Sequence, residues 1–317
     1  MELSIKTSSL SIVVPVFNSA SSLNALYERL NTVLPSLVQT YELILVNDGS
    51  VDTSWKMITN LVHAHDWIHG INLMRNYGQH NALLCGIRAA KYETIVTIDD
   101  DLQNPPEEIY KLLKKLDDGY DVIYGTPLKE QHDLWRNLAS QVTKLALQST
   151  MGIDTARQVS AFRAFRTYLR NAFQDYQSPY VSIDVLLTWS TNRFSSVGVQ
   201  HEERIHGASN YTFRKLVVHA LNMITGFSVL PLRLASLIGF GFALFGALVL
   251  VYVVGRYLIQ GGIVPGFAFL ASTIAIFSGV QLFALGIIGE YLARMYYRLM
   301  DRPSYVIKPP NIHDSED

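Results

Sequence analysis

Apolar, β-branched runs alternate with helical patterns through the first two hundred residues. "LSIVVPVF", "YELILVND", "IHGINLM" and "TIVTID" read as strands. Between them, apolar positions recur at helical spacing through Leu23–Leu37, after Asp52 and through Ala82–Ala90. This alternation predicts an α/β fold with a largely parallel sheet. Ligands of such sheets bind beyond the carboxyl ends of the strands. That places Asn47–Asp48 and Asp99–Asp101 on one rim. "NPPEEIYKLLKKL" predicts a helix start, with Pro in the first turn, acids next and lysines later, as the helix dipole prefers.

The last third follows a different pattern. Leu234 to Gly255 carries no charge, and neither does Tyr257 to Gly289. About 20 apolar residues cross a bilayer core, so two transmembrane helices are expected, at 233–258 and 265–291. Their flanks carry Arg204, Arg214, Lys215, Arg233, Arg294, Arg298, Arg302 and Lys308. The positive-inside rule puts both flanks in the cytoplasm, and the α/β domain with them. Ahead of the first span, Leu216, Val217, Ala220, Leu221, Ile224 and Phe227 form an apolar stripe at helical spacing. An interfacial helix lying on membrane lipid fits it. The expected division is a catalytic domain over 1–207, an amphipathic segment over 208–232, the two spans, and a cytosolic tail over 292–317 that ends in a polar "KPPNIHDSED".

Composition supports a membrane protein. Of 317 residues, 49% are hydrophobic and only 17% charged. The net charge of −1 provides no basic field for nucleic acid. A single cysteine, Cys85, excludes an intrachain disulfide framework and fits a reducing compartment. The opening "MELSIKTSSLSIVVPVF" has no signal-peptide layout and reads as a first strand. His63, His65 and His69 fall near one helix, but i,i+2 positions do not share a face, so no histidine metal cluster is expected. "RNYGQHNALLCGIRAA" has glycines without a P-loop lysine.

The candidate chemistry lies in "TIVTIDDDLQNPPEE". Asp99, Asp100 and Asp101 sit together where an apolar strand ends. Like charges this close repel and raise one another's pKa. Acid clusters at strand ends also serve as helix caps and solvated turns. A hard cation offers another purpose: Mg²⁺ and Mn²⁺ take one or two protein carboxylates plus phosphate oxygens and water. A metal-bound diphosphate is then a stabilised leaving group.

Further segments accompany the acids in order: "SIVVPVFN", "LILVNDGSVDTS", "LMRNYGQHNALLCGIRAA", "GYDVIYGT", "VSAFRAFR" and "HEERIHGASNYTFRKL". Together they resemble the family 2 glycosyltransferases, in their polyisoprenyl-phosphate branch, over residues from about 10 to 305. The resemblance implies a GT-A nucleotide-diphospho-sugar transferase fold, a Rossmann-like mixed sheet. It implies a UDP-sugar donor, an undecaprenyl phosphate acceptor, Mg²⁺ or Mn²⁺ as cofactor, inversion at the anomeric carbon, and a homo-oligomer such as a tetramer. The expected location is the bacterial inner membrane, with a cytoplasmic catalytic domain.

Residue by residue, the D-x-D pattern of the family falls on Asp99 and Asp101, with Asp101 as main metal ligand and Asp99 holding the nucleotide sugar. Asp100 takes the variable middle place and is expected to matter least. Gln103 matches a glutamine near the sugar or acceptor phosphate. Pro15, Asn18 and Asp48 match the uracil and ribose positions, and Arg75 an arginine supporting the nucleotide. Arg136 and Arg163 match basic positions suited to the acceptor phosphate, where Ser160 is placed to hydrogen-bond. Arg204 falls in a loop expected to close over the substrates. Arginine suits phosphate because its fork pairs bidentately.

The chain departs from the pattern at Ser19 and Asn47, where relatives often have acids, at Ala161, where some have aspartate, and at Asn210, where many have lysine. Two other functions compete. A processive polysaccharide synthase would carry "Q-x-x-R-W", which is absent. A non-catalytic partner in lipid-linked sugar translocation would have no need of the acid cluster.

Overall fold

The computed structural model describes residues 7–128, 159–178, 180–202, 230–260 and 266–309. Arg136, Arg204 and nearly all of the expected amphipathic segment lie outside them. The chain divides into two units, 1–216 with 301–317, and 217–300.

In the first unit the elements run β1 (Ser9–Val16), α1 (Ala20–Leu37), β2 (Thr40–Asn47), α2 (Ser54–Ala64), β3 (Ile68–Asn72), α3 (Gln79–Ala89) and β4 (Thr94–Thr97). A 3₁₀ turn (Pro106–Glu108) leads into α4 (Ile109–Leu116), followed by β5 (Val122–Pro127), β6 (Arg163–Arg166), a second 3₁₀ segment (Thr167–Phe173), α5 (Ile183–Thr188) and β7 (Phe194–Val199). The seven strands form one sheet in the order β3-β2-β1-β4-β6-β5-β7. It is mixed: β6 pairs antiparallel with both β4 and β5, while the other pairs are parallel.

Both faces of the sheet are covered, which is why its strands read as continuous apolar runs. Ile12, Val14 and Val16 of β1 join the layer of α1, α2 and α4, while Val13 points into the layer of α3 and α5. This is the period-2 alternation of a strand. Helix α1 buries Leu23, Leu26, Leu30 and Leu34 at one-face spacing. Each such leucine contributes about 2 kcal/mol relative to exposure. Helix α3 sits so close to the sheet that a Cβ on Gly86 would meet Val13 Cγ1 at 2.4 Å.

The topology creates a crevice. β1 has β2 and β3 on one side and β4 on the other, so the direction of the sheet switches at β1 and β4. β4 stops pairing with β1 at Val13↔Thr97, while β2 stays paired as far as Val16↔Asn47. The carbonyl of Val13 accepts the Ile98 N–H, so Pro15, two residues on, faces the same side. There β4 has already turned away into Asp99, so Pro15 has no ladder partner to lose.

The second unit holds two long helices, α6 (Leu230–Gln260) and α7 (Phe267–Leu299). Within them Pro231–Ile259 and Ile276–Tyr296 are long and apolar enough to cross a membrane. Leu237, Phe240, Leu248 and Leu258 are exposed along the first. The helices meet where the rings of Phe242 and Phe277 cross edge to face, 5.9 Å apart. Glu290 pairs with Arg294 on its own helix at 2.8 Å.

Residues 301–309 belong to the catalytic unit rather than to a free tail. Ile307 bridges antiparallel to Leu73, just past the end of β3.

Candidate active site

Three loops meet at the carboxyl edge: 17–19 after β1, 48–53 after β2 and 99–104 after β4. Asn18 takes a left-handed φ of 54°. Its N–H donates to Ser50 Oγ at 3.0 Å, and its Oδ1 accepts the Val51 N–H at 2.9 Å. Asn47, which stands in place of the family acid, is 2% exposed and donates to Asn72 Oδ1 at 2.8 Å. It ties the ends of β2 and β3.

Asp48 holds the loop that follows β3. Its two carboxylate oxygens accept the Tyr77 and Gly78 N–H groups at 2.7 and 2.8 Å. Burial lifts its pKa above the usual carboxylate range, although those two donors pull it down. Gly49, at φ 67°, allows the same loop to come close: a Cβ there would meet the backbone of Arg75 and Asn76 at 2.5 Å. Arg75 is exposed, its guanidinium 4.6 Å from the centre of the Tyr77 ring.

Across the crevice stand the acids. Asp99 Oδ1 accepts Gln79 Nε2 at 2.6 Å. Asp100 Oδ2 accepts the Phe17 N–H at 3.3 Å, joining the β1 and β4 sides of the crevice. Asp101 Oδ1 accepts the Gln103 N–H at 3.1 Å. Between Asp101 and Gln103, buried Leu102 takes φ 61°. A bulky residue is a genuine outlier in this region.

Burial and then the charges of Asp101 and Asp100 push the Asp99 carboxyl up to about 7, against the pull of Arg163 and Gln79. Burial likewise pushes Asp100 up to about 6, against hydrogen bonds from Ser19 and Phe17. Burial is the larger part of both shifts, and the neighbouring carboxylate charges add to it. Among the described residues no three His, Cys, Asp or Glu side chains cluster as a metal cage. Neighbouring carboxylates such as Asp99 and Asp101 are the donor type that a hard ion takes when phosphate and water complete its shell.

Arg163 is placed differently from the expectation. It is 1% exposed. Its guanidinium pairs with Asp184, and its Nε donates to Thr97 Oγ1 at 3.1 Å. Asp184 also accepts the Tyr124 hydroxyl at 3.1 Å. A buried guanidinium needs such partners, and Asp184 and Thr97 supply them. Its charge still reaches Asp99. Pro15 is buried within β1, so Phe17 and Asn18, both exposed, form the rim instead. Ser160 Oγ accepts the Phe162 N–H at 3.2 Å in the turn before β6.

Sequence reasoning passed over Gln79, Leu102 and Asp184. Gln79 and Leu102 stood inside quoted segments without a role. Asp184 had no local signal, because its partner Arg163 lies in another element.

Residues 11–177 match the family described as Glycosyl transferase family 2. The chain belongs to this family. It is 36% identical to the undecaprenyl-phosphate 4-deoxy-4-formamido-L-arabinose transferase of Proteus mirabilis (strain HI4320), over 98% of each chain. To the enzyme of that name from Serratia proteamaculans (strain 568) it is 35% identical, over 94% of this chain and 92% of the other.

Its fold is that of glucosyl-3-phosphoglycerate synthase from Mycobacterium tuberculosis, solved with Mn²⁺, uridine diphosphate and glucosyl-3-phosphoglycerate. The TM-score is 0.53 at 16% identity, covering 70% of this chain and 79% of that one. The same enzyme with Mn²⁺ and UDP-glucose aligns with a TM-score of 0.53 at 17% identity, over 70% and 78%. This glycosyltransferase thus has the expected GT-A mixed sheet, with two apolar helices after it.

Proposed function

We propose that this glycosyltransferase moves a sugar from a UDP-sugar to undecaprenyl phosphate, a polyisoprenyl phosphate, at the cytoplasmic face of the bacterial inner membrane. The observation that carries the reading is the match to undecaprenyl-phosphate sugar transferases along almost the whole chain, apolar helices included. The acid cluster at the switch-point crevice supports it chemically.

In this reading Asp101 and Asp99 hold Mg²⁺ or Mn²⁺. The bound ion supplies charge neutralisation for the diphosphate. The loops around Pro15, Asn18, Asp48 and Arg75 hold the nucleotide. Gln103 and Ser160 face the sugar and acceptor side. Arg136 and Arg204 are assigned to phosphate oxygens by the family resemblance alone. Arg163 acts at one remove, as a buried cation fixed by Asp184 beneath the acids.

The reaction needs no protein base. A phosphomonoester is largely ionised at neutral pH, its second pKa being about 6. Its oxygen forms the bond to the anomeric carbon, and the bond to UDP breaks with the electron pair leaving on UDP. An α-linked donor would give a β-linked product. The protein contributes orientation and stabilisation of the departing charge.

The test uses full-length protein in detergent with undecaprenyl phosphate, Mn²⁺ or Mg²⁺ and a panel of UDP-sugars, read by mass spectrometry of the lipid. One product, lost with EDTA, is the expected result. No product from any donor would overturn the reading, while UDP binding without turnover would point to another acceptor.

A further inference from the structure

The segment after the second apolar helix carries a role that the sequence pattern hides. Residues 306–308 pair with 72–74 at the end of β3, the edge strand of the sheet, where unpaired backbone groups would otherwise be exposed. The Met74 N–H donates to the Val306 carbonyl at 2.9 Å, and the Lys308 N–H to the Asn72 carbonyl at 2.7 Å. Ser304, 2% exposed, fixes the other end of the segment. Its hydroxyl donates to the Ser178 carbonyl at 2.9 Å and accepts the Ser178 N–H at 3.4 Å. Between these anchors the Arg88 guanidinium lies 5.7 Å from the centre of the Tyr305 ring. The segment therefore grips β3, α3 and the loop before α5 together.

What it grips leads into the site. Met74 immediately precedes Arg75. The loop then continues through Tyr77 and Gly78, held by Asp48, to Gln79, which donates to Asp99. One side of the loop is set by Asp48 and Gly49, the other by the backbone of Val306 and Lys308. Covalent continuity from Asn72 to Gln79 spans both supports and ends at the acid cluster.

We propose that residues 302–308 form a positioning strap, added to the sheet edge, that sets the 73–79 loop for nucleotide binding. The inference rests on the UDP reading above for the identity of the nucleotide. The strap touches no reacting atom. It acts through backbone hydrogen bonds, so its effect depends on the Lys308 N–H and not on the lysine side chain.

The experiment compares full-length wild type, Lys308→Pro, Lys308→Ala and Ser304→Ala. Hydrogen exchange of residues 72–79 and UDP affinity with Mn²⁺ are measured on each, alongside the thermal midpoint. Lys308→Pro removes the donor. It is expected to speed exchange in the loop and weaken UDP about tenfold, the effect of one well-placed hydrogen bond. Lys308→Ala keeps the donor and is expected to match wild type in both.

Ser304→Ala loosens the far anchor and is expected to weaken UDP about threefold. It keeps the test open if the proline variant fails to fold. Unchanged exchange in both Lys308→Pro and Ser304→Ala overturns the strap. Faster exchange with unchanged UDP affinity overturns its positioning role. So does an equal loss in Lys308→Ala. Absence of UDP binding by wild type overturns the donor reading itself, while the exchange comparison still reports whether the strap holds the loop.

Discussion

Leu102 holds a left-handed backbone while its side chain is buried in the core, between the partly exposed Asp101 and Gln103. Such strain costs about 1–3 kcal/mol and persists where the surroundings enforce it. Leu102→Val keeps most of the apolar bulk but adds a β-branch at positive φ. It should lower the thermal midpoint more than Leu30→Val does, since Leu30 is buried without a positive φ. Leu102→Gly should relieve the backbone and lose only the packing.

The acids themselves separate by role. Asp101→Asn should abolish turnover and leave the thermal midpoint within a few degrees. Asp100→Asn should reduce kcat/KM by about threefold or less, because an amide oxygen still accepts the Phe17 N–H at the cost of one neutral-for-charged bond. Asp100→Ala removes that crevice-spanning bond and should cost more, read as a rise in KM. The acid cluster at the end of an apolar strand was legible in the sequence, while its reading as a ligand pair came from the family resemblance. The burial of Arg163 was not, since "SAFRAFR" alone cannot say whether an arginine faces solvent or a buried Asp184.

At the scale of elements, the apolar runs named the strands well. β1, β2, β3 and β4 formed where β-branched runs lay, and α1 and α3 extended a few residues beyond the stripes that predicted them. β5, β6 and β7 were not read as strands, and β6 had the weakest local signal. Its four residues join β4 to β5 antiparallel, a pairing between distant segments that no local period announces. The C-terminal strap was assigned to a tail for the same reason.

Helix α3 gives two tests. Gly86→Ala would push a methyl into Val13, so a loss of about 1–3 kcal/mol is expected, as overpacking costs. Beside it, Cys85 is buried, and that burial pushes its thiol up to about 12, against the Tyr305 hydrogen bond and the Arg88 charge. At pH 8 the reactive thiolate is then scarcely populated. Alkylation by iodoacetamide should be negligible in the folded protein and rapid in denaturant. Fast labelling of native protein would show that α3 opens readily.

For the whole molecule, the two units are separately compact, and the chain passes from the first into the second and back. Replacing 217–300 with a flexible Gly/Ser linker should leave UDP affinity within about threefold of wild type, because every described contact to the 73–79 loop lies in the first unit. Transfer to undecaprenyl phosphate in vesicles should fall by at least about tenfold if, as proposed, the apolar helices hold the enzyme at the lipid. Equal turnover in vesicles would remove the helices from the functional reading.

The place of the strap in the chain also sets an order of events during synthesis. Domains begin to fold from the N-terminal end as the polypeptide leaves the ribosome. The sheet edge at Asn72–Met74 is made early, but the residues that cover it are translated only after both apolar helices. A nascent chain thus carries an unfinished edge until both apolar helices have been made, and under the proposed strap the 73–79 loop gains its second support only then.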